Sequence, residues 1–285
     1  PLYNKADYIA ETLKSVLNQT YCDYEVIVVN DSSTDNSLEV ASSFQDERIH
    51  IYTKENEGVS AARNYGIMHA KYDYIAFLDA DDIWESDYLE CQKKLIGTYP
   101  DAGIYSTAFY SLEKGKRKLR NVLINEHIHF LVHDYFKESV MNGLSICWTS
   151  SLCLKKEVIK EIPMFRVGIK RGEDLDLWLR IALNYDVAYL NLPKVFYRTG
   201  LSDSLTSDYS KNGEFPYYEW FNFTSESSYY RKYVILVVYI HAKNAFIHHD
   251  YDTCLAELWS VKTIAWRFKW AERLLLLVIS WIKSK

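Results

Sequence analysis

The sequence predicts an α/β fold: a mostly parallel central sheet flanked by helices, with a helical C-terminal extension. Apolar, β-branched runs alternate with helical patterns over residues 1–110. Acidic residues directly follow two of these runs, and beyond residue 230 only helical patterns remain. We therefore divide the chain into an α/β domain, residues 1–205, and a helical extension, residues 206–285. The second half of the α/β domain covers residues 111–205.

The first half alternates predicted strands with predicted helices. Residues 24–29 and 74–78 are continuous apolar runs, as expected of strands that are buried on both faces of a sheet. Shorter strands are predicted at residues 49–52 and 103–109. The predicted helices are residues 5–18, a segment through Leu38 and Ala41 capped by Ser33 or Thr34, and residues 59–70 and 86–99.

The second half is less regular between residues 113 and 141. Its basic segment 114–118 indicates a solvated turn, with binding of a phosphate as the alternative. The later predicted elements are a strand at residues 150–154, a helix at 173–184, a loop at 201–216, and helices at 231–248, 252–266 and 270–282. The predicted extension is therefore a set of helices that follows a polar loop.

Composition argues against several classes of function. The 285 residues carry a formal net charge of −5, which does not favour binding of nucleic acid through a generally basic surface. The five cysteines form no Cys-x-x-Cys pair, so neither a zinc site nor a disulfide framework is expected. A reducing, cytoplasmic setting fits this cysteine usage best. The chain begins at Pro1 without a methionine, and we expect residues upstream of it.

Carboxylates lie at the ends of two predicted strands. In a parallel α/β sheet, ligands bind beyond the carboxyl ends of the strands. Asp79, Asp81 and Asp82 fall close together, repel one another and require a counter-ion. Their oxygen ligands suit Mg²⁺ or Mn²⁺, which also bind nucleotide diphosphates. The cluster predicts a metal–phosphate site, with a solvated loop start as the alternative, whereas Asp31 taken alone would indicate a helix cap.

Residues 1–4, 29–35, 56–66 and 79–82 are four segments that, in this order, resemble the inverting family 2 glycosyltransferases of the GT-A (nucleotide-diphospho-sugar transferase) fold. Residues 1–4 resemble the end of the first strand in that family. Residues 29–35 resemble its second-strand motif, and residues 56–66 resemble its Asn-x-Gly...Ala-Arg-Asn-x-Gly segment. Residues 79–82 are similar to its DxD motif. Each segment alone is a weak signal, whereas the four in this order are specific.

The resemblance implies a role for each matched position of a donor site. Asp31 would hold the nucleobase, Asp79 would approach the ribose and the metal, and Asp81 would be the principal metal ligand. Arg63 would hold Asp31 or the diphosphate, or would act only as the partner of a neighbouring carboxylate. The other implied donor contacts are Pro1, Tyr3, Asn4, Ser33, Asn56 and Ala80.

The resemblance also implies an acceptor site in the second half. Residues 172–180 resemble the family's Glu-Asp motif, in which the Asp is the general base that accepts the proton of the acceptor hydroxyl. Asp174 is the corresponding residue of this chain. The alternative is that Glu173 and Asp174 only stabilise the N-terminus of a helix through its dipole.

A third protein ligand for the metal is not apparent. Residues 197–202 resemble the family's Tyr-Arg segment and the loop after it, yet Thr199 and Gly200 stand where many relatives carry a His. The histidines of residues 127–133 alternate with apolar residues and indicate surface or core positions. The identity of the third ligand therefore stays open. Asp82 is expected to cap the next helix.

These features predict a metal-dependent, inverting glycosyltransferase with Mn²⁺ or Mg²⁺ as cofactor. It would transfer a sugar from a nucleotide-diphosphate donor, with UDP expected, to a hydroxyl of a glycan or lipid-linked acceptor, as in the synthesis of bacterial surface polysaccharide or lipopolysaccharide. The alternatives are a sugar-1-phosphate nucleotidyltransferase and a non-catalytic sugar-nucleotide-binding protein. No glycine follows Asn4 directly, which argues against the glycine-rich loop of the nucleotidyltransferases.

The C-terminal segment differs in charge from the rest of the chain. Residues 260–285 carry six basic residues and one acidic residue, a net charge of 6 − 1 = +5. Basic, aromatic and apolar residues in one helix predict peripheral contact with the inner face of a membrane. The alternatives are a helix that packs on the α/β domain or a homodimer contact. The apolar run at residues 274–282 is too short to span a bilayer.

Overall fold

A computed structural model describes residues 1–123, 125–169, 171–201, 220 and 223–257. The helices are α1 Ala6–Leu17, α2 Ser37–Ser42, α3 Val59–His69, α4 Tyr88–Thr98, α5 Tyr135–Asn142, α6 Lys156–Glu161, α7 Glu173–Ala182 and α8 Tyr230–Ile247. Residues 251–257 are also helical, and Thr149–Ser151 form a 3₁₀ turn.

The strands lie mainly in the α/β part of the chain. They are β1 Val26–Asn30, β2 Ile49–Thr53, β3 Tyr74–Ala76, β4 Ile83–Trp84, β5 Ile104–Glu113, β6 Lys116–Arg120, β7 His129–Val132, β8 Leu152–Lys155 and β9 Val187–Arg198. Most of these helices and strands were predicted within a few residues. The exceptions are β4, β6, β7, β9, α5 and α6, which were not predicted from the sequence.

The strands form two sheets. β1 and β2 pair in parallel, and a second sheet has the order β3-β8-β5-β9-β4, with β6 on β5 and β7 on β9. Among the described strands, β1–β2 and β5–β9 are parallel and the other five pairings are antiparallel. The α/β class is therefore confirmed, but the sheet is mixed rather than mostly parallel. One reason is the short turn at Lys114 and Gly115, because strands joined by so short a turn must run antiparallel.

Helix α1 illustrates how the sequence directs packing. Ile9, Leu13 and Val16 recur at helical spacing and are buried on one face. The helix begins directly after Lys5, so the loop that precedes α1 lies beside the ends of the strands. The predicted cap of α2 by Ser33 or Thr34 is wrong, because α2 begins at Ser37 and Asp35 accepts the hydrogen bond from the Ser37 N–H at 2.9 Å.

An apolar cavity of about 510 Å³ lies between the two sheets. Residues 26–29 of β1 and residues 74–78 line it, together with side chains of α1 and α3. Leu2 forms a parallel bridge to Asn30 beside this cavity. The lining contains three of the predicted donor contacts, Pro1, Arg63 and Ala80, but none of the four predicted site carboxylates Asp31, Asp79, Asp81 and Asp174.

Helix α8 packs into the same hydrophobic core as the second half of the α/β domain. The Tyr233 ring lies 5.4 Å from the Tyr135 ring, and the two hydroxyls are 3.0 Å apart. Tyr230 packs edge-on against Phe136, with the ring centroids 4.8 Å apart. The first helix of the predicted extension is therefore joined to α5 by buried aromatic contacts. The domain boundary near residue 205 stays a prediction.

Within the described part of the chain, no helix is both long enough and apolar enough to cross a membrane. All five cysteines are free, in agreement with the expectation of no disulfides. The basic segment 260–285, predicted to contact a membrane, lies outside the described residues, as does most of the predicted loop at 201–216.

Candidate functional site

Asp31 lies directly after β1 and fixes the loop that leads into α3. Its carboxylate accepts hydrogen bonds from the Glu57 and Gly58 backbone N–H groups at 3.1 and 2.8 Å and from the Lys54 Nζ at 2.9 Å. Gly58 has φ 91°, which disfavours residues with a side chain, and it precedes α3. Asp31 is 3% exposed, so its charge is balanced locally by Lys54.

Asn4 joins the first segment of the chain to the loop after β1. Its side-chain oxygen accepts from the Thr34 N–H at 2.8 Å, and its own N–H donates to Ser33 Oγ at 3.1 Å. Asn4 adopts a left-handed backbone conformation with φ 49°, which Asn tolerates better than most residues. Two predicted donor contacts, Asn4 and Ser33, thus lie together. Of the other predicted donor contacts, Tyr3 and Asn56 are exposed, and Pro1 is half-buried.

Arg63 connects the two predicted halves of the site. Its Nη2 donates to Asp79 Oδ1 at 2.8 Å, and its Nη1 donates to Glu173 Oε1 at 2.7 Å. Arg63 and Glu173 are separated by 110 residues in sequence, and both are buried. In the structure Arg63 contacts two neighbouring carboxylates, Asp79 and Glu173, rather than Asp31. A contact between Arg63 and the diphosphate stays a prediction.

Asp81 faces a different cation. Its Oδ2 lies 3.1 Å from the Lys5 Nζ, and the Asp81 side chain is 16% exposed. The Asp81 carbonyl accepts from Arg198 Nη1 at 2.5 Å, which ties this loop to the end of β9. Burial raises the pKa of Asp81, and the neighbouring Asp79 adds to this effect while Lys5 opposes it.

Asp82 is fully buried and is held by uncharged donors. It accepts from Ser150 Oγ at 2.5 Å and from the Arg198 N–H at 3.0 Å. Thr12 Oγ1 donates to the carbonyl oxygens of Ala80 and Asp82 at 3.0 and 2.8 Å, which holds the loop against α1. Burial raises the pKa of Asp82 well above its usual range. The prediction that Asp82 caps the next helix is wrong, because its oxygens bind β9 and the 3₁₀ turn instead.

Asp174 lies in the first turn of α7, beside Glu173. Its Oδ2 accepts from Thr149 Oγ1 at 3.0 Å, and its Oδ1 accepts from the Leu175 N–H at 2.7 Å. Burial raises the pKa of Asp174, and Arg63 opposes this shift. The pKa of Glu173 rises to about 7 because of burial and of the neighbouring Asp174 charge. Two adjacent acidic groups therefore lie within reach of one guanidinium.

The carboxylates of Asp79 and Asp81 provide hard oxygen ligands, which suit Mg²⁺ or Mn²⁺. Mg²⁺ is commonly held by one or two carboxylates together with substrate phosphates, so this pair fits a metal completed by a diphosphate. In the part of the chain that the structure describes, no group of three or more His, Cys, Asp or Glu residues could hold a metal ion. His133 Nδ1 lies 2.7 Å from Asp186 Oδ2.

Several residues of the site were not predicted from the sequence. Lys5, Lys54, Thr149 and Ser150 each hold one of the predicted carboxylates or its loop. Lys5 directly follows the segment that resembles the family, and this is the only signal that could have indicated it. Nothing in the local sequence of Thr149 or Ser150 indicates a contact with acidic residues.

Comparison with known proteins bears on both the fold and the family. Residues 1–162 match the family model described as "Glycosyl transferase family 2". Over 192 residues the chain is 32% identical to "Putative teichuronic acid biosynthesis glycosyltransferase TuaG" of Bacillus subtilis, a match covering 66% of this chain and 72% of that protein. Over 208 residues it is 32% identical to "Glycosyltransferase GlyA" of Streptococcus pneumoniae, which covers 70% of this chain but only 30% of GlyA.

An uncharacterized glycosyltransferase of Rickettsia felis is 35% identical over 187 residues, which are 64% of this chain and 29% of that protein. The chain thus spans less than a third of two of these three relatives. Among solved structures, S. aureus TarS in complex with UDP-GlcNAc superposes with a TM-score of 0.72 at 18% identity, covering 90% of this chain and 78% of TarS. This similarity concerns the fold.

The mannosyltransferase PcManGT of Pyrobaculum calidifontis, solved with GDP-Man and Mn²⁺, superposes with a TM-score of 0.59 at 18% identity, covering 99% of this chain and 81% of that structure. Both superpositions confirm the predicted GT-A fold. The glycosyltransferase names of the sequence relatives decide against the nucleotidyltransferase and non-catalytic alternatives. With more than half of its length matching the family model, the chain belongs to glycosyl transferase family 2.

Proposed function

We propose that this enzyme is a metal-dependent, inverting glycosyltransferase that transfers a sugar from a UDP-linked donor to a hydroxyl of a glycan or lipid-linked acceptor. The observation that carries the proposal is the Arg63 guanidinium, which bonds Asp79 at the end of β3 and Glu173 at the start of α7. Because of this contact, the carboxylates expected on the donor side lie next to those expected on the acceptor side.

Asp79 and Asp81 would hold the divalent ion, and Asp31 would accept a hydrogen bond from the nucleobase. A carboxylate has about four acceptor positions, and three donors already occupy Asp31. Capacity therefore remains for the imide N–H of uracil. When bound, the ion would supply charge stabilisation for the diphosphate as it leaves. The GDP-Man and Mn²⁺ of the PcManGT structure support a nucleotide-sugar donor with a divalent ion.

Asp174 would act as the general base. In a single displacement, the acceptor oxygen forms a bond to the anomeric carbon while the bond from that carbon to the diphosphate oxygen breaks. The proton of the acceptor hydroxyl passes to an Asp174 oxygen. Burial of Asp174 raises its pKa and so makes it a stronger base, whereas the helix N-terminus and Thr149 favour its ionised form. Thr149 also fixes the orientation of the carboxylate.

The names of the relatives support an acceptor of the surface-polysaccharide type, since TuaG is named for the synthesis of teichuronic acid. The UDP-GlcNAc bound to TarS supports a UDP-linked donor. We expect the enzyme to work in the cytoplasm, with residues 260–285 in contact with the inner face of the membrane. Recovery of a chain truncated after Ser260 on anionic vesicles tests this contact, and undiminished recovery would contradict it.

The function is tested with a panel of nucleotide sugars, by following release of the nucleoside diphosphate with and without Mn²⁺. Asp174→Asn is expected to lower turnover by about 10² to 10⁴, the usual contribution of a general base, and to leave UDP binding unchanged. Asp81→Asn is expected to abolish Mn²⁺-dependent binding of UDP. Glu47→Gln, a change at an exposed residue, serves as the control. Loss of UDP binding in Asp174→Asn would contradict its assignment as the base.

A further inference from the structure

Lys5 occupies a position next to the carboxylate that is proposed to bind the metal. The Lys5 Nζ lies 3.1 Å from Asp81 Oδ2, and the two side chains are 13% and 16% exposed. The Lys5 ammonium also lies 5.8 Å from the centre of the Tyr8 ring. An ammonium and a divalent ion at the same carboxylate repel each other strongly, because both charges are positive and little water separates them.

The loop that carries Asp81 is anchored by other residues. Arg198 donates to the Asp81 carbonyl, and Thr12 Oγ1 donates to the carbonyls on either side of Asp81. Asp82 is held by Ser150. These other contacts hold the loop in place without Lys5. The contribution of the Lys5 contact to the site is therefore electrostatic.

The backbone of Lys5 is fixed by hydrogen bonds, and its ammonium is carried on a long side chain with four methylene groups. The Lys5 N–H donates to Ser37 Oγ at 2.6 Å, and the Lys5 carbonyl accepts from the N–H groups of Tyr8 and Ile9 at the start of α1. A lysine is a point charge on a flexible stem, whereas the Arg63 guanidinium is held by two directed bonds. Of these two cations, Lys5 is the one suited to exchange partners.

We infer that Lys5 is the counter-ion of Asp81 while the donor is absent, and that its ammonium shifts to an oxygen of the donor diphosphate when metal and nucleotide bind. This inference rests on the proposed function. Lys5 then weakens binding of the metal alone and strengthens binding of the metal–nucleotide pair. The consequence is that the two ligands enter together, so that the free enzyme does not fill its site with metal alone.

The test compares wild type with Lys5→Met, Lys5→Gln and Lys5→Arg by calorimetric titration, first with MnCl₂ alone and then with UDP at saturating Mn²⁺. For Lys5→Met and Lys5→Gln we expect Mn²⁺ alone to bind about tenfold more tightly, and UDP to bind about tenfold more weakly. Lys5→Arg keeps the charge and should stay close to wild type. Lys94→Met, which removes a lysine that is 72% exposed, is the control.

The experiment distinguishes a failure of this inference from a failure of the proposed function. If Mn²⁺ alone binds Lys5→Met and Lys5→Gln no more tightly than it binds wild type, the inference is overturned, whatever the behaviour of UDP. If wild type binds no UDP at any Mn²⁺ concentration, the proposed function fails instead. Thermal unfolding of each variant shows whether it is folded, and Lys5→Gln retains a hydrogen-bond donor to Asp81 in case Lys5→Met is unstable.

Discussion

The donor side and the acceptor side of the candidate site balance negative charge in different ways. On the donor side each carboxylate contacts a cation directly: Lys54 contacts Asp31, Lys5 contacts Asp81, and Arg63 contacts Asp79 as well as Glu173. On the acceptor side the neighbouring carboxyl groups of Glu173 and Asp174 have only the shared Arg63 as a cation among the contacts described above.

This difference in ion pairing bears on the two proposed chemistries, although burial raises the pKa of Asp81 on the donor side as well. A carboxylate that holds a metal or a base must stay ionised, and a cation nearby favours that state. A carboxylate that accepts a proton is more effective when its pKa is raised. Burial raises the pKa values of Glu173 and Asp174, and Arg63 opposes both shifts. Arg63 belongs to both sides, so changes at or near it test the comparison most directly.

The largest expected effect is that of Arg63→Met. Removing this buried cation leaves Asp79 and Glu173 without their shared partner, and loss of one member of a buried ion pair costs about 3 to 5 kcal/mol of unfolding free energy. Arg48→Met is the matched control, because Arg48 and Asp46 form a more exposed pair at 26% and 24% exposure and should contribute about 1 kcal/mol or less. Urea denaturation measures both. Equal losses in the two variants would contradict the bridging role of Arg63.

Local patterns in the sequence predicted the parts of this site that depend on one segment. The β1 strand, the α3 helix and the acidic residues after β3 all follow from runs of about ten residues or fewer. The partners of the carboxylates could not be predicted in this way. Ser150 donates to the Asp82 carboxylate across 68 residues, and Arg63 donates to Glu173 across 110, because the antiparallel entry of β8 and the docking of α7 bring these segments together.

The next largest expected effect is a change in the free energy of unfolding with pH, which arises from Glu173 on the acceptor side. The pKa of Glu173 is about 7 in the folded chain, above its ordinary value of 4.5. Between these values the unfolded chain loses its proton first, so the free energy of unfolding falls as the pH rises through this interval. Above about pH 7 both states are ionised and this contribution to the slope ends.

Glu173→Gln removes this titration. We expect the unfolding free energy of wild type to fall relative to that of Glu173→Gln by about 1 to 3 kcal/mol between about pH 5 and pH 8. Asp174, whose pKa is also raised, remains in both proteins, and its charge contributes to the raised pKa of Glu173 that this comparison measures. Glu47→Gln, at an exposed position, should run parallel to wild type. Parallel profiles for wild type and Glu173→Gln would show that Glu173 is not the titrating group.

The smallest effect isolates the orientation of the proposed base. Thr149→Val keeps the shape of the side chain but removes the hydroxyl that donates to Asp174 Oδ2 at 3.0 Å. Because that hydrogen bond favours the ionised carboxylate, its loss should raise the pKa of Asp174 further and shift the acid limb of the kcat profile to higher pH. Loss of orientation should also lower kcat by about tenfold, the equivalent of roughly 1.4 kcal/mol, while the KM for the donor stays unchanged.

Thr98→Val, at an exposed threonine of α4, is the control for the substitution itself. An unshifted acid limb with an altered donor KM would instead place Thr149 on the donor side, and the division of the site into two differently balanced sides would then fail.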